Sequence, residues 1–246
     1  MKTEISMVES EFERDGYCLL RGVYDKVEID TLRLQQIARL RADTSEAVRR
    51  SESGHVFAAR NVLTIWPEAT NVWRTPSLVD FLTENLDRDF GLVRGLYFDK
   101  PAEHTWTLPL HKDMTIAVKN NRLSSTQFTK PTTKVGVPHV EAPVKVLNRM
   151  LTLRIHLDAA TPENGTLFVI PGSHHDGKHL KANERIPVPL IAEPGDVLAI
   201  RPLVSHCSGK SADGTSMHRR ILHLEFAADE QLDDGFEWYQ FCRWAG

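Results

Sequence analysis

The triplet His-x-Asp, which places an imidazole and a carboxylate two residues apart, occurs three times in this 246-residue chain. In extended backbone, residues i and i+2 share one face, so each triplet could give two ligands to one metal ion. A non-haem iron site needs two imidazoles and one carboxylate, with open coordination positions opposite them. The third ligand must then come from a distant histidine. The three triplets are His111–Asp113, His156–Asp158 and His174–Asp176.

Sequence context favours the first triplet as the source of two metal ligands. His111 and Asp113 follow a break at Pro109, where a strand can end beside an open site. The second triplet lies in MLTLRIHLD, whose alternation is typical of a strand with one polar face, and this favours a structural role. The third lies in the Gly-rich turn IPGSHHDGK, where Asp and Ser side chains commonly bond the local backbone. The nearby His175 and His179 leave an adventitious metal patch as an alternative there.

A distant histidine and an anion-binding arginine occur late in the chain. His206 follows the apolar stretch DVLAIRPLVS and begins a small polar loop, and Arg219 comes thirteen residues later at the start of RRILHLEFA. A buried guanidinium can hold a carboxylate through two parallel hydrogen bonds, which suits a dicarboxylate cosubstrate. Arg219 and the adjacent Arg220 face opposite sides of a strand, so at most one of them can point inward.

The elements that position these residues change in character near Phe90. We expect residues 1–90 to be mostly helical, with one helix over Val27–Arg41 and a second that has Thr75 as N-cap and Pro76 at its first position. Beyond Phe90, short apolar runs alternate with Pro and Gly, which predicts a sandwich or barrel of strands over residues 91–228.

The stretch from Met114 to Val140 contains no acidic residue, and its composition is typical of a loop. It directly follows the first triplet, so we expect residues 114–140 to form a lid over the site, with a solvated or disordered excursion as the alternative. Four basic residues lie in it: Lys119, Arg122, Lys130 and Lys134. They suggest a substrate with an anionic group, and we name Arg122 and His139 as candidate substrate contacts.

The bulk composition limits the possible function classes. A net charge of −3 and a pI near 6.4 give no support to binding of nucleic acid or of a membrane surface. No apolar run approaches the roughly 18 residues that span a bilayer, and the acidic N-terminus does not read as a secretion signal. Three cysteines without a C-x-x-C pair favour neither a disulfide framework nor a Cys-rich zinc site. We therefore expect one cytoplasmic domain over residues 1–246.

Together these features resemble the phytanoyl-CoA dioxygenase family of iron(II)/2-oxoglutarate oxygenases. The resemblance covers most of the chain: FERDGYCLLRGV, LYFDKP before LHKD, TPENGTLFVIPGSHHDGK, PGDVLAIRPLVSHCSG and RRILHLEFA. The segment from Thr161 to the Pro-Gly-Ser-His turn is its most specific part. The family implies a mainly β fold, a double-stranded β-helix (jelly roll, cupin-like) with the N-terminal helices packed on one sheet.

The resemblance also implies roles for individual residues. His111, Asp113 and His206 become the iron ligands. Arg219 takes the position of the arginine that holds the distal carboxylate of 2-oxoglutarate, with Arg220 as the alternative if the register slips by one. Further residues match positions around the cosubstrate: Ser208, Arg94, Phe98 and Lys100.

The implied reaction consumes O2 and 2-oxoglutarate at Fe(2+), releases succinate and CO2, and hydroxylates a small molecule. A carboxylate at Asp113 favours this chemistry, since halogenating relatives carry a small residue there. Two alternatives stay open at this stage. One is a cupin-type metal enzyme without 2-oxoglutarate, which would have no need of Arg219, and the other is a non-catalytic jelly-roll binding module.

Overall fold

The computed structural model describes residues 11–101, 104–181 and 185–245. Its helices are α1 (Lys26–Ala42), α2 (Val62–Ile65), α3 (Pro76–Leu86) and α4 (Val144–Leu147), and residues 11–15 are also helical. Asp25 caps α1 through a capping box with Glu28, which satisfies free backbone N–H groups at the helix start. Within the described part of the chain, no helix is long and apolar enough to cross a membrane.

The main sheet contains eight strands. Its order is β1 (Tyr17–Leu20), β12 (Val197–Ile200), β9 (Met150–His156), β14 (Ile221–Ala227), β4 (Gly91–Phe98), β3 (Val56–Ala59) and β2 (Val48–Arg50), with β15 (Cys242–Arg243) also paired to β4. All of these pairings are antiparallel.

A second sheet of four strands faces the main one. Its order is β11 (Val188–Pro189), β10 (Leu167–Val169), β13 (His206–Ser208) and β5 (Leu108–His111). Leu167 and Val169 of this sheet pack with Leu198 and Ile200 of the main sheet. Two facing antiparallel sheets of this kind form the predicted jelly roll, and the fold prediction is confirmed.

The two faces of the main sheet differ sharply. On β9, Leu151, Leu153 and Ile155 join the large apolar cluster that also contains Leu32 of α1 and Leu82 of α3. The helices therefore cover the outer face of this sheet, as the resemblance implied. Because side chains alternate along a strand, the intervening polar residues of β9 point into the jelly roll, where the candidate site lies.

The predicted loop of residues 114–140 instead contains strands over nearly half of its length. It forms most of a small antiparallel sheet in the order β6 (Thr115–Ala117), β8 (Val137–Glu141) and β7 (Thr129–Lys134). The sequence TKPTTK of β7 is polar because most of this strand is exposed, so its strand character depends on pairing with β8. The role of the segment as a lid stays a prediction.

The N-terminal part also differs from expectation. The two predicted helices are present, α1 with one more residue at each end, and α3 beginning at Pro76. Thr75 holds the N-cap position of α3 but makes no capping hydrogen bond through its side chain. Residues 11–90, the described part of this region, also supply three strands to the main sheet, β1, β2 and β3, and are therefore less helical than predicted.

Candidate metal centre and cosubstrate pocket

Neighbouring strands of the second sheet bring the three predicted metal ligands together. His111 on β5 and His206 on β13 are paired directly in the antiparallel register, and their ring centroids are 4.2 Å apart. Asp113 follows β5, and its backbone N–H donates to the carbonyl of Pro202 at 2.9 Å. The Asp113 carboxylate lies 3.8 Å from Nε2 of His111 and 3.6 Å from Nε2 of His206.

Backbone carbonyls orient both imidazoles. Nδ1 of His111 lies 2.8 Å from the carbonyl of Pro109, and Nδ1 of His206 lies 3.0 Å from the carbonyl of Val204. With the Nδ1 proton donated to a carbonyl, each Nε2 is left with a free lone pair facing the Asp113 carboxylate. Two imidazoles and one carboxylate are the donor set of the facial triad that binds non-haem iron, so these residues fit the metal that the sequence implied.

The protonation states suit metal binding, because ligands must bind as a neutral imidazole or a carboxylate. Burial lowers the pKa of His206 to about 4, against the attraction of Asp113. Burial would raise the pKa of Asp113, but the surrounding imidazoles, His206 foremost, together with Arg94 lower it to about 2. Near neutral pH the site therefore holds a neutral His206 and an ionised Asp113.

The triad opens onto a cavity of about 240 Å³ between the sheets. Four residues predicted from sequence line it besides the ligands: Arg94, Phe98, Ser208 and Arg219. Lys100 is fully buried but does not line the cavity. Its Nζ donates to Ser208 Oγ at 2.9 Å and to the carbonyl of Gly209 at 2.6 Å. Lys100 therefore positions Ser208 without lining the cavity itself.

The structure separates the two candidate arginines. Arg219 is buried and lines the cavity, and its Nε has no hydrogen-bond partner among the described residues. Arg220 points to the other side of the strand, where Nε and Nη2 donate to the Asp158 carboxylate at 2.6 and 2.8 Å. Asp158 therefore has the structural role that its sequence context predicted.

Sequence reasoning missed Arg154. It lies on the inner face of β9, is buried, and lines the cavity with Arg219. Burial and the positive charge of Arg154 lower the pKa of Arg219 to about 9. Both ring nitrogens of the neighbouring His156 are buried without a partner among the described residues. The alternation in MLTLRIHL indicates that Arg154 and His156 share one face of the strand. Only the structure shows that this face lines the pocket.

The two candidate substrate contacts have different positions. Arg122 is exposed and does not line the cavity of the triad. His139 is buried on β8 and lines a smaller neighbouring cavity with Arg60, Arg94 and Lys134. Two other basic residues of the segment are compensated from outside it, since Lys119 pairs with Glu237 and Lys130 with Glu141.

Comparison with known proteins identifies the family of the chain. A family model described as phytanoyl-CoA dioxygenase matches residues 12–219. A methylphosphonate hydroxylase from Gimesia maris is 35% identical over 114 residues, which cover 41% of this chain and 42% of the relative. The iron/alpha-ketoglutarate-dependent dioxygenase penM from Penicillium thymicola is 33% identical over 134 residues, or 54% of this chain and 35% of the relative. The chain thus spans less than half the length of these curated relatives.

Solved structures share the fold at lower sequence identity. EctD from S. alaskensis with bound Fe has a TM-score of 0.66 at 19% identity, covering 89% of this chain and 74% of its own. The epimerase SnoN, in complex with Fe3+, alpha ketoglutarate and nogalamycin RO, has a TM-score of 0.63 at 16% identity, covering 100% of this chain and 97% of its own. With a family model that matches most of its length, the chain belongs to the phytanoyl-CoA dioxygenase family.

Proposed function

We propose that this protein is an iron(II)- and 2-oxoglutarate-dependent oxygenase that hydroxylates a small molecule. One observation carries the proposal: a two-histidine, one-carboxylate triad opens onto the same cavity as a buried arginine whose Nε has no hydrogen-bond partner among the described residues. A cupin-type enzyme without 2-oxoglutarate would have no use for such an arginine. A binding module without catalysis would not need the triad.

Each group of residues has a separate task. His111, Asp113 and His206 hold the iron, and the fixed Nδ1 contacts of both imidazoles keep Nε2 directed at it. Arg219, assisted by Arg154, binds the distal carboxylate of 2-oxoglutarate, whose negative charge offsets the repulsion between the two guanidinium groups. Ser208 offers a hydroxyl in the same cavity and is held in place by Lys100.

The bound iron with 2-oxoglutarate and O2 supplies the oxidising power, and succinate and CO2 are released. The chain contributes the ligands, the clamp formed by Arg219 and Arg154, and a cavity between its two sheets. Asp113 keeps one coordination position occupied by a carboxylate, which supports hydroxylation rather than halogenation. The small cavity, of about 240 Å³, supports a small metabolite or natural-product intermediate as the substrate, and its excess of cationic residues supports an anionic one.

A screen of small metabolites for substrate-dependent succinate release tests the proposal. We expect turnover with iron(II), 2-oxoglutarate and O2 together, and none when any one is left out. Asp113→Ala is the matched negative control because it removes one proposed ligand whose side chain is only partly buried. Product formation without 2-oxoglutarate would favour the cupin-type alternative.

A further inference from the structure

Arg219 and Arg154 form the proposed clamp for the cosubstrate. A second group of cationic side chains also lines the cavity. These residues are Arg60, Arg94 and Lys134, which we call the cationic wall. They also line the smaller cavity next to it, together with His139. The negative charge of Asp113 acts on Arg94 and Lys134 of this wall and on Arg154 of the clamp. The metal centre therefore lies within electrostatic reach of both groups.

Three different elements build the cationic wall. Arg60 directly follows β3, and Arg94 lies in the middle of β4. Lys134 ends β7 at a two-residue turn to β8, where Val135 and Gly136 have φ values of 50° and 75°. This left-handed turn is strained for a β-branched residue such as Val135. It holds Lys134 at the cavity, where Nζ donates to Thr115 Oγ1 at 3.1 Å.

The positive charge of the wall is not balanced by the protein. Apart from the ligand Asp113, Glu225 is the one acidic residue that lines the cavity in the described part of the chain. Glu225 already accepts hydrogen bonds from Arg94 and from Nε2 of His223. Neither Arg60 nor Lys134 forms an ion pair with an acidic residue among those described. Burial, together with the charge of Arg94, lowers the pKa of both side chains against the attraction of Glu225, so the wall carries a net repulsion.

Two buried nitrogen atoms at the same place lack hydrogen-bond partners among the described residues. Nε of Arg94 and Nε2 of His139 are buried without a hydrogen bond to any described residue, and His139 is 3% exposed. Buried polar atoms of this kind are rare unless a ligand or water satisfies them. The smaller cavity beside them has a volume of about 20 Å³, enough for roughly one water molecule or one ligand oxygen atom.

We propose that the cationic wall binds a doubly charged oxyanion of the substrate, a phosphonate or phosphate group, and holds the attached carbon next to the metal centre. The proposal rests on the proposed function, which assigns the clamp of Arg219 and Arg154 to the cosubstrate. Arg60 and Lys134 supply two positive charges beyond the Arg94–Glu225 pair, and two charges match a phosphonate better than a carboxylate. One oxygen of the group would fill the smaller cavity beside Arg94 and His139.

Calorimetric titration with methylphosphonate tests this assignment. The protein is loaded with manganese(II) and saturating 2-oxoglutarate, so that the clamp is occupied and no turnover interferes. We expect the wild-type protein to bind methylphosphonate, and Lys134→Met or Arg60→Gln to weaken binding about ten- to hundred-fold, as expected for loss of one charge-assisted hydrogen bond. Lys130→Met is the matched control on the same strand, because Lys130 pairs with Glu141 outside the cavity, and it should leave affinity unchanged.

The outcomes separate the two proposals. If the protein binds 2-oxoglutarate but not methylphosphonate, the proposed role of the cationic wall is wrong while the proposed function stands. The same conclusion follows if wild type and Lys134→Met bind methylphosphonate with equal affinity. If acetate binds as tightly as methylphosphonate, the wall does not select a doubly charged group. Failure to bind 2-oxoglutarate in the same preparation would instead count against the proposed function. Thermal unfolding of each variant checks that Arg60→Gln and Lys134→Met remain folded.

Discussion

Lys112, between two of the proposed iron ligands, is bound to the turn that contains Ser173. Its buried Nζ donates to the carbonyl of Ser173 at 2.6 Å and to that of Gly177 at 2.7 Å. Ser173 Oγ in turn accepts from the backbone N–H of Ser205, the residue before His206, at 2.8 Å. The Pro-Gly-Ser-His turn therefore contacts both chain segments that carry metal ligands. This explains how a turn without a ligand of its own can still position the site.

The first prediction concerns this connection. Lys112→Met leaves the carbonyls of Ser173 and Gly177 without their donor and should lower the free energy of unfolding by about 1–3 kcal/mol. Because it also releases the His111–Asp113 segment, iron(II) affinity should fall about ten- to hundred-fold. Chemical denaturation and metal titration measure the two effects. Lys119→Met, which removes an exposed ion pair with Glu237, should change neither by a comparable amount.

The second prediction concerns the ligands themselves. His111→Ala and Asp113→Ala should abolish iron-dependent turnover and metal binding, because only two protein ligands would remain. Both side chains are about one-third exposed, at 32% and 38%, so the fold should be largely retained, as seen in circular dichroism and thermal unfolding. His179→Ala, in the exposed histidine-rich segment, serves as the control. Full substrate-dependent succinate formation by either ligand variant would show that the ligand assignment is wrong.

The third prediction separates the arginines. Arg219→Ala and Arg154→Ala should each weaken 2-oxoglutarate binding about ten- to hundred-fold, since each removes a charge-assisted contact to the carboxylate. Arg220→Lys should lower the unfolding temperature, because it breaks a paired contact with Asp158, but should leave the affinity for 2-oxoglutarate unchanged. If Arg220, and not Arg219, controls the affinity for 2-oxoglutarate, then Arg220 is the residue that binds the cosubstrate.

The fourth prediction concerns pH. Burial, with the charges of Arg219 and Arg154, lowers the pKa of Lys100 from 10.5 to about 7. Between these pH values the unfolded chain binds more protons at Lys100 than the folded protein does, so this residue makes stability rise with pH. The charged form of Lys100 destabilises the folded protein fully below about pH 7, and this destabilisation is lost as the pH approaches 10.5. The difference in unfolding free energy between wild type and Lys100→Met should therefore shift in favour of wild type across this window. A pH-independent difference would contradict the lowered pKa.

Much of the fold could be predicted because its signals are local. The alternation in MLTLRIHL and RRILHLEFA defines β9 and β14, and the amphipathic pattern over Val27–Arg41 locates α1 to within one residue at each end. By contrast, β2 and β7 are edge strands that each pair only with the next strand along the chain, and their short or polar sequences carry no comparable signal.

The same distinction applies to the site. His111, Asp113, His206 and Arg219 could be named because the family motifs fix their positions in the chain. The importance of Arg154, Arg60 and Lys134 could not be seen in the same way, because it depends on which strand faces border the cavity. Of the four basic residues after the triplet, only tertiary structure shows that Lys134 reaches the cavity, whereas Arg122 stays exposed.

The most direct test of the iron and 2-oxoglutarate site is an anaerobic titration of the metal-free protein with iron(II) and then 2-oxoglutarate, followed by visible absorption. Bidentate binding of 2-oxoglutarate to iron gives a weak charge-transfer band. We predict that this band develops in wild type, is lost in Asp113→Ala, and needs a higher 2-oxoglutarate concentration in Arg219→Ala. Tight iron(II) binding by wild type without any such band would contradict the account and indicate a metal site that does not use 2-oxoglutarate.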